Sequence, residues 1–326
     1  MEVAPNSNRM AEVVREYPEG IFLYFNRLPP ENDRLKAILQ TAMPKRLAII
    51  TNERGFAWPC DLGMELNRKF FAYAIAVDQI KNIVGSHLNV NEQTVERFLP
   101  EVVVDEDPRE KRYAHIGGFL VPVPMTNELF LGYIRDGEKL FLRQNGIHGI
   151  YLGKLVEGLA QFRKSQHPKT PEWIYCEHID LVMTGFAQVN KVPAGQPRKR
   201  KFYVDEGLLT FLKQNRLVDQ PLETAVPLRT DLTLRGGCNI KFVNSDRQAV
   251  AMISSIDAIG PIYQDLIDFG YKVVEIGETQ VAEGGGVKCR SLDLSWDCRR
   301  INSLSLISNV IQFVYVFCPG QKILRV

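Results

Sequence analysis

The stretch E-G-G-G-V-K-C-R-S-L-D-L at Glu283–Leu294 places three consecutive glycines shortly before a lone cysteine, Cys289. Glycine is used where the backbone must take a positive φ or where another group comes very close. A short strand over Ser291–Leu294 is predicted to follow, so this turn is well suited to present a thiol to a ligand as a nucleophile. The alternative is a glycine turn beside a structural cysteine, because free cysteine is among the most buried residue types.

The composition is that of an ordinary globular protein. The chain has 326 residues, 45% of them hydrophobic, and a net charge of +2. This length allows one large or two medium domains, and the charge gives no reason to expect a nucleic-acid or membrane partner. None of the six cysteines has C-x-x-C spacing or forms a zinc-like group with histidine, so we expect neither a disulfide framework nor a metal. The N-terminus has no secretory signal pattern, and we therefore expect a cytoplasmic protein.

Short strands and helices alternate along the chain. The first predicted unit is a strand at Ile21–Phe25, a helix at Asp33–Ala42 and a strand at Leu47–Thr51. Comparable units recur at intervals of roughly sixty residues, which leaves room for about five of them. The pattern predicts an α/β fold rather than an all-β fold, but periodicity alone does not distinguish repeated units from a doubly wound sheet.

Later segments continue this alternation. The patterns predict further strands and helices at His115–Val123, Leu129–Ile134, Gly149–Phe162 (helix), Trp173–Met183, Val204–Gln214 (turn, then helix), Lys241–Val243, Ala249–Ile253, Pro261–Phe269 (helix, closed by Gly270) and Tyr271–Ile276. We divide the chain into a polar lead-in over residues 1–17, a single α/β domain over 18–295 and a tail over 296–326 of uncertain structure.

A cysteine nucleophile needs a group that manages protons and acids that orient the substrate. In a strand over Trp173–Met183, His178 and Asp180 would point to one face, where they could act as general acid/base and cation clamp. The alternative is a satisfied histidine beside a solvent-facing acid, although polar residues in so apolar a segment need a purpose. Asp61, in the turn-rich connector over residues 54–61, is the second acid of interest, and for it the alternative is a surface turn.

Four short elements resemble motifs of one enzyme superfamily. G-G-G-V-K-C at 284–289 is similar to the nucleophile motif G-G-x-x-H-C of the guanidine-modifying (pentein) superfamily, and H-I-D at 178–180 resembles its H-x-D element. W-P-C-D-L-G at 58–63 is similar to W-x-R-D-x-G, and I-G-G-F at 116–119 lies where E-G-G-D is common. Members include arginine deiminases, agmatine deiminases, dimethylarginine dimethylaminohydrolases and glycine amidinotransferases.

This resemblance implies a five-bladed α/β propeller and a hydrolase or amidinotransferase reaction on the guanidino carbon of a small arginine-like molecule. It implies Cys289 as the nucleophile that forms an amidino-thioether, His178 as general acid/base, and Asp180 and Asp61 as substrate contacts. It implies no cofactor and no metal. We expect no nucleic-acid or membrane partner, and a homo-oligomer is possible.

The sequence also departs from the family pattern. Ile116 and Phe119 replace two acids, Cys60 replaces an arginine, and Lys288 replaces the histidine before the nucleophile. Losing a charge-assisted hydrogen bond to the substrate costs about 1.5–3 kcal/mol. Glu110 and Glu128 are nearby acids that could substitute. The alternative hypothesis is therefore a catalytically degenerate binding or regulatory protein of the same fold, and a third is an unrelated cysteine hydrolase.

Overall fold

The computed structural model describes most of residues 7–105 and 179–295 and less of the residues between them. The described residues are 7–26, 29–52, 58–66, 69–97, 99, 101–105, 118, 120–126, 128–131, 143, 146, 148–151, 179–214, 222–245, 248–277 and 286–295.

Within these ranges the chain forms short strands together with α-helices and 3₁₀ helices. The strands are β1 (Gly20–Phe25), β2 (Arg46–Thr51), β3 (Gly63–Leu66), β4 (Lys69–Tyr73), β5 (Glu101–Asp105), β6 (Leu120–Pro122), β7 (Glu128–Leu131), β8 (His148–Tyr151), β9 (Met183–Ala187), β10 (Arg200–Asp205), β11 (Val226–Leu228), β12 (Lys241–Ser245), β13 (Gln248–Ile253), β14 (Lys272–Glu275) and β15 (Ser291–Ser295). The helices are α1 (Ser7–Glu16), α2 (Asn32–Ala42), α3 (Ala74–Leu88), α4 (Glu92–Glu96), α5 (Glu206–Gln214), α6 (Thr230–Leu234), α7 (Ile256–Ile259) and α8 (Ile262–Asp268). Short 3₁₀ helices lie at Pro29–Glu31, Pro59–Leu62, Ile179–Leu181 and Leu222–Thr224.

The described strands form five three-stranded sheets that share one plan. In each sheet the middle strand pairs antiparallel with one neighbour and parallel with the other. In four sheets the antiparallel neighbour precedes the middle strand in the chain: β3-β4-β5, β6-β7-β8, β9-β10-β11 and β12-β13-β14. In the remaining sheet, β15-β1-β2, the antiparallel neighbour is the last described strand. The fold is thus a mixed α/β fold of several small sheets, and the closed five-bladed propeller stays a prediction.

Four hydrophobic clusters join neighbouring sheets. One cluster joins β1 to β4 through Leu23 and Phe70, and another joins β1 to β13 through Phe22 and Met252. A third joins β13 to the sheet of β10 through Ala251 and Tyr203. The last joins the sheet of β6 to that of β10 and includes Val121 and Phe202. Burial of these apolar side chains at the sheet contacts is the main stabilising contribution.

The predicted first unit is confirmed, with β1, α2 and β2 within a residue of the expected bounds. Strands also lie where the pattern predicted them over β7, β12, β13, β14 and β15. The helix α8 ends before Gly270, whose φ of 93° suits glycine.

Three local predictions differ from the structure. The helix expected over Gly149–Phe162 is wrong at its start, since β8 extends to Tyr151; its apolar period begins only at Leu152, and the rest lies outside the described residues. Val204 belongs to β10 rather than to a turn. The strand expected over Trp173–Met183 is wrong at its end, because Ile179–Leu181 is a 3₁₀ helix closed by a bond from the Val182 N–H to the Ile179 carbonyl (3.1 Å).

The N-terminal segment also differs from the expected polar lead-in. Helix α1 occupies Ser7–Glu16 and buries Met10, with Val13, Val14 and Tyr17 packed against the same cluster. These apolar residues follow one another at helical spacing, a signal that the polar composition obscured. Residues 296–326 lie outside the described part of the chain. No helix in the described part is long and apolar enough to cross a membrane.

We expect Arg46 to contribute strongly to stability. This buried residue makes an ion pair with Asp293 of β15 (2.6 Å) and donates to the carbonyls of Glu19 and Asn244. The substitution Arg46→Met keeps an aliphatic stem but removes the ion pair with Asp293 and the Arg46 hydrogen bonds to both carbonyls. We predict that it lowers the free energy of unfolding by roughly 3–5 kcal/mol, as measured by urea denaturation.

The matched control is Arg229→Met, which removes an exposed ion pair with Asp231 (2.8 Å). Such pairs contribute about 0–1 kcal/mol. Equal losses for the two variants would contradict the role assigned to Arg46.

Candidate active site

Cys289 lies in a hydrogen-bonded turn that leads directly into β15. The Arg290 N–H donates to the Gly286 carbonyl and the Ser291 N–H to the Lys288 carbonyl, both at 3.2 Å. The Cys289 side chain is buried, with 3% of its surface exposed. Because β15 is the edge partner of β1, the turn is anchored to the first described strand.

Asn239 holds this turn in place from the neighbouring loop before β12. The side-chain oxygen Oδ1 accepts hydrogen bonds from the backbone N–H groups of Lys288 (2.9 Å) and Cys289 (3.3 Å). A Cβ atom at Gly286 would lie 2.5 Å from this oxygen. The last glycine of the G-G-G run is therefore required for the close approach of Asn239.

Asp180 lies next to the thiol. The Asn239 Nδ2 donates to both Asp180 Oδ2 (3.2 Å) and Cys289 Sγ (3.1 Å), and the thiol faces Asp180 Oδ2 at 3.8 Å. Asp180 is 1% exposed. Its second oxygen, Oδ1, is buried and has no hydrogen-bond partner among the described residues, which is unusual for a buried carboxylate oxygen.

Lys288 forms an ion pair with Asp180. Its Nζ lies 3.1 Å from Asp180 Oδ2 and also donates to the Leu120 carbonyl at 3.3 Å. Lys288 and Cys289 both lie in the turn before β15. A carboxylate near the sulfur disfavours the thiolate, whereas the Lys288 ammonium and the Asn239 donor favour it.

The turn carrying Asp61 lies beside the cysteine. The Cys60 N–H donates to the Cys289 carbonyl (3.3 Å), and Cys60 is buried. Arg290, the residue after Cys289, is also buried. Its guanidinium carbon lies over the rings of Trp58 and Phe25, at 5.3 Å and 5.9 Å from the ring centroids. The Asp61 backbone belongs to the 3₁₀ helix Pro59–Leu62, while its side chain lies outside what the structure describes.

Of the other candidate residues, one lies at the surface and the rest lie outside the described part of the chain. His178, Ile116, Phe119 and Glu110 lie outside the described residues. Glu128 is exposed at the start of β7. The structure thus brings Cys289 and Asp180 together, and the roles of His178 and Asp61 stay predictions.

A cavity of about 290 Å³ opens next to Asp180 and Lys288. The remaining described lining residues are Val121, Pro122, Pro124, Met183, Thr184, Gly185, Phe186, Ala187, Cys238, Ile240, Phe242 and Tyr271. Burial raises the pKa of Tyr271 to about 12, so its hydroxyl is neutral at physiological pH and donates to the Ala187 carbonyl (2.9 Å). No group of three or more His, Cys, Asp or Glu side chains in the described ranges is placed to hold a metal.

Sequence reasoning missed Asn239. It follows paired glycines in G-G-C-N-I and is fully buried. A polar residue within such a short apolar segment was the available signal, because buried amides need partners. Its partners, the Cys289 turn and Asp180, lie about fifty residues or more away in the chain. A local sequence pattern therefore does not indicate these contacts.

Comparisons with known proteins give a likeness in structure alone. No family model and no curated protein sequence matches this chain. The N-terminal domain of ArgZ, an arginine dihydrolase of Cyanobacteria, bound to product, matches with a TM-score of 0.51 and 13% identity over 84% of this chain and 96% of that chain. A variant of the same domain with a covalently bound reaction intermediate gives the same score over 97% of its chain.

AgrE gives a similar match. A mutant of AgrE in a binary complex with L-arginine matches with a TM-score of 0.51 and 13% identity over 84% of this chain and 40% of that chain. Together with five sheets of one plan, these matches show that the chain has the fold of the guanidine-modifying (pentein) superfamily. The resemblance found in the four sequence motifs is confirmed at the level of the fold.

We predict that Asn239→Asp slows alkylation of Cys289 by iodoacetamide, a neutral reagent. The variant keeps the acceptor for the two N–H groups but replaces the donor to sulfur with a second carboxylate beside Asp180. Because a donor to a charged group is worth about 1.5–3 kcal/mol, the rate at neutral pH should fall roughly 10- to 100-fold. Peptide mass mapping over time measures it.

The matched control is Asn190→Asp, since Asn190 is exposed and donates to the Asp268 carbonyl. This variant should alkylate at the wild-type rate. An unchanged rate in Asn239→Asp would mean that the amide does not stabilise the thiolate.

Proposed function

We propose that the protein is a cysteine-dependent enzyme that modifies the guanidino carbon of a small molecule, by hydrolysis or by amidino transfer. The observation that carries the proposal is at Asp180, a residue of the cavity wall: its Oδ1 has no hydrogen-bond partner among the described residues, and its Oδ2 lies 3.8 Å from Cys289 Sγ. A guanidinium N–H donated to Oδ1 would bring the guanidino carbon close to the sulfur. The ArgZ and AgrE structures, whose names specify an arginine dihydrolase and a complex with L-arginine, support this choice of chemistry.

In the proposed reaction the Cys289 thiolate adds to the guanidino carbon and forms a C–S bond. The C–N bond to the leaving amine then breaks, and His178 supplies the proton that the amine carries away. The product is an amidino-thioether on Cys289. Water or a second amine, deprotonated by His178, next attacks the same carbon, and the sulfur leaves as thiolate. Asp180 and Asp61 are the proposed substrate contacts.

We also propose that the five sheets close into a ring, as in a five-bladed propeller. The support is the shared plan of the sheets together with the four clusters that join neighbouring sheets in series. The order in space is β3-β4-β5, β15-β1-β2, β12-β13-β14, β9-β10-β11 and β6-β7-β8. The last described strand thus takes the place that the preceding strand takes in the other four sheets.

A second candidate function is a binding or regulatory protein without turnover. Its support is that Lys288 already occupies Asp180 Oδ2, where a substrate cation would otherwise pair, and that the thiol is 3% exposed. The sequence departures at Ile116, Phe119 and Cys60 point the same way.

Covalent labelling with 2-chloroacetamidine distinguishes the two functions, since this reagent carries a planar cation like that of a guanidine. We predict fast labelling of Cys289 ahead of Cys60 and Cys238, which are also buried and form no disulfide. The substitution His178→Ala or Asp180→Asn should slow it at least tenfold, because each removes a group that activates the thiol or holds the cation. Peptide mass mapping identifies the modified residue.

The control reagent is iodoacetamide, which is neutral and tests exposure of each thiol alone. If chloroacetamidine labels the cysteines in the same order and at the same relative rates as iodoacetamide, the site holds no cation beside the thiol. The binding-protein function would then replace the enzyme.

We predict that Lys288→Met makes stability depend on a guanidinium ligand. Removing the ammonium leaves the buried Asp180 carboxylate without its cation, a loss worth roughly 3–5 kcal/mol. Millimolar methylguanidine, which can supply a replacement cation, should restore part of the melting temperature in the variant and affect the wild type less.

The matched control is Lys81→Met, because Lys81 pairs with Glu92 and Glu96, both of which are exposed. Its melting temperature should not respond to methylguanidine. A variant of Lys288 that melts lower but shows no response to the ligand would exclude cation binding at Asp180.

A further inference from the structure

The cavity beside Asp180 is apolar over most of its described surface. Only two of its fourteen described lining residues, Asp180 and Lys288, carry a charge, and these two are paired with each other. The hydroxyl-bearing side chains are Thr184 and Tyr271, and the Tyr271 hydroxyl already donates to the Ala187 carbonyl. The lining therefore offers one polar end and an apolar remainder.

Aromatic rings build one wall of this cavity. Phe186 of β9, Phe242 of β12 and Tyr271 contact one another with ring centroids 5.4–6.0 Å apart. Phe186 also contacts Phe269, which does not line the cavity. Because the rings fix one another, the wall is preformed, as is usual for small-molecule sites.

We infer that the ligand of this cavity is a guanidine or amidine with an uncharged alkyl or aryl body. The inference rests on the proposed function and narrows its substrate class. The polar head would lie at Asp180 and the body against Phe242 and Phe186. The α-ammonium and α-carboxylate of an amino acid would have to leave water for a surface whose two charges are already paired, which is costly. An alkyl or aryl group gains free energy on the same surface.

The test is equilibrium binding to Cys289→Ser, which cannot turn over, measured by calorimetry. The ligands are n-propyl-, n-butyl- and n-pentylguanidine, together with agmatine and arginine. We expect the affinity to rise about fourfold for each added methylene. Arginine and agmatine should bind more weakly than n-pentylguanidine and n-butylguanidine. Arginine binding as tightly as n-pentylguanidine, or no dependence on chain length, would overturn the inference.

Two phenylalanine variants locate the body of the ligand. Phe242→Ala removes a lining ring and should weaken n-pentylguanidine about four- to fifteenfold, the equivalent of one to two methylene groups. Phe269→Ala removes a ring from the same aromatic cluster without touching the cavity, and should leave the affinity unchanged at a temperature where both variants are folded. Equal effects of the two would place the ligand elsewhere.

The inference and the proposed function fail in different ways. Tight binding of alkylguanidines with no chloroacetamidine labelling of Cys289 would sustain the ligand class and reject the enzyme. Selective labelling of Cys289, with arginine as the best protecting ligand, would sustain the enzyme and reject the apolar body.

Discussion

The pairing of β15 with β1 is the constraint on which the rest of the structure depends. It joins Ser291–Ser295 to Gly20–Tyr24, so that the first and last described strands lie in one sheet. Closing so long a loop costs entropy, and burial of apolar side chains on both faces of β1 offsets it. The Phe25 N–H continues the pairing to the Arg290 carbonyl. Cys289 directly precedes Arg290, so the register of the β15–β1 pair also positions the thiol. A slip of one residue in this register would move every side chain of β15 to the opposite face of the sheet.

Asp180, Asn239 and Cys289 form a polar cluster beside the cavity. Burying these polar groups costs free energy, and few contacts hold them in place. Asp180, Asn239 and Cys289 are each nearly inaccessible, and Asn239 bonds to both of the others and to two backbone N–H groups. A buried network of this kind is stabilising only while its members are satisfied, since an unpaired carboxylate in a low dielectric costs more than the bonds contribute. The absence of a side chain at Gly286 lets Asn239 reach the turn. The remaining unpartnered atom among these described groups, Asp180 Oδ1, is a feature that a purely structural network would not need.

Local sequence patterns were sufficient to predict the strand–helix–strand units and the class of fold. Hydrophobic periodicity and glycines at turns reflect interactions over only a few residues. They failed where distant contacts decide the structure. Asp180 was assigned to a strand with an alternating face, yet the chain turns there in a 3₁₀ helix. Asn239 gave almost no signal, since its partners come from residues about fifty or more positions away. The sequence showed only that Lys288 replaces a histidine, and the turn before β15 brings its ammonium to Asp180, more than a hundred residues away in the chain.

The charge balance of the site links its departures from the family pattern to the shape of its cavity. The residues at 116 and 119 are apolar where the resembling family has acids, and Lys288 adds a cation to Asp180, the acid found beside the thiol among the described side chains. At Asp180 a guanidinium would meet one carboxylate oxygen without a partner among the described residues rather than a bidentate pair, so its head group would gain less there than beside an unpaired acid. The missing binding free energy must then come from the rest of the molecule. The described cavity wall offers aromatic and aliphatic surface for that purpose, so the proposed guanidine site and the inferred apolar ligand body are both consistent with these substitutions.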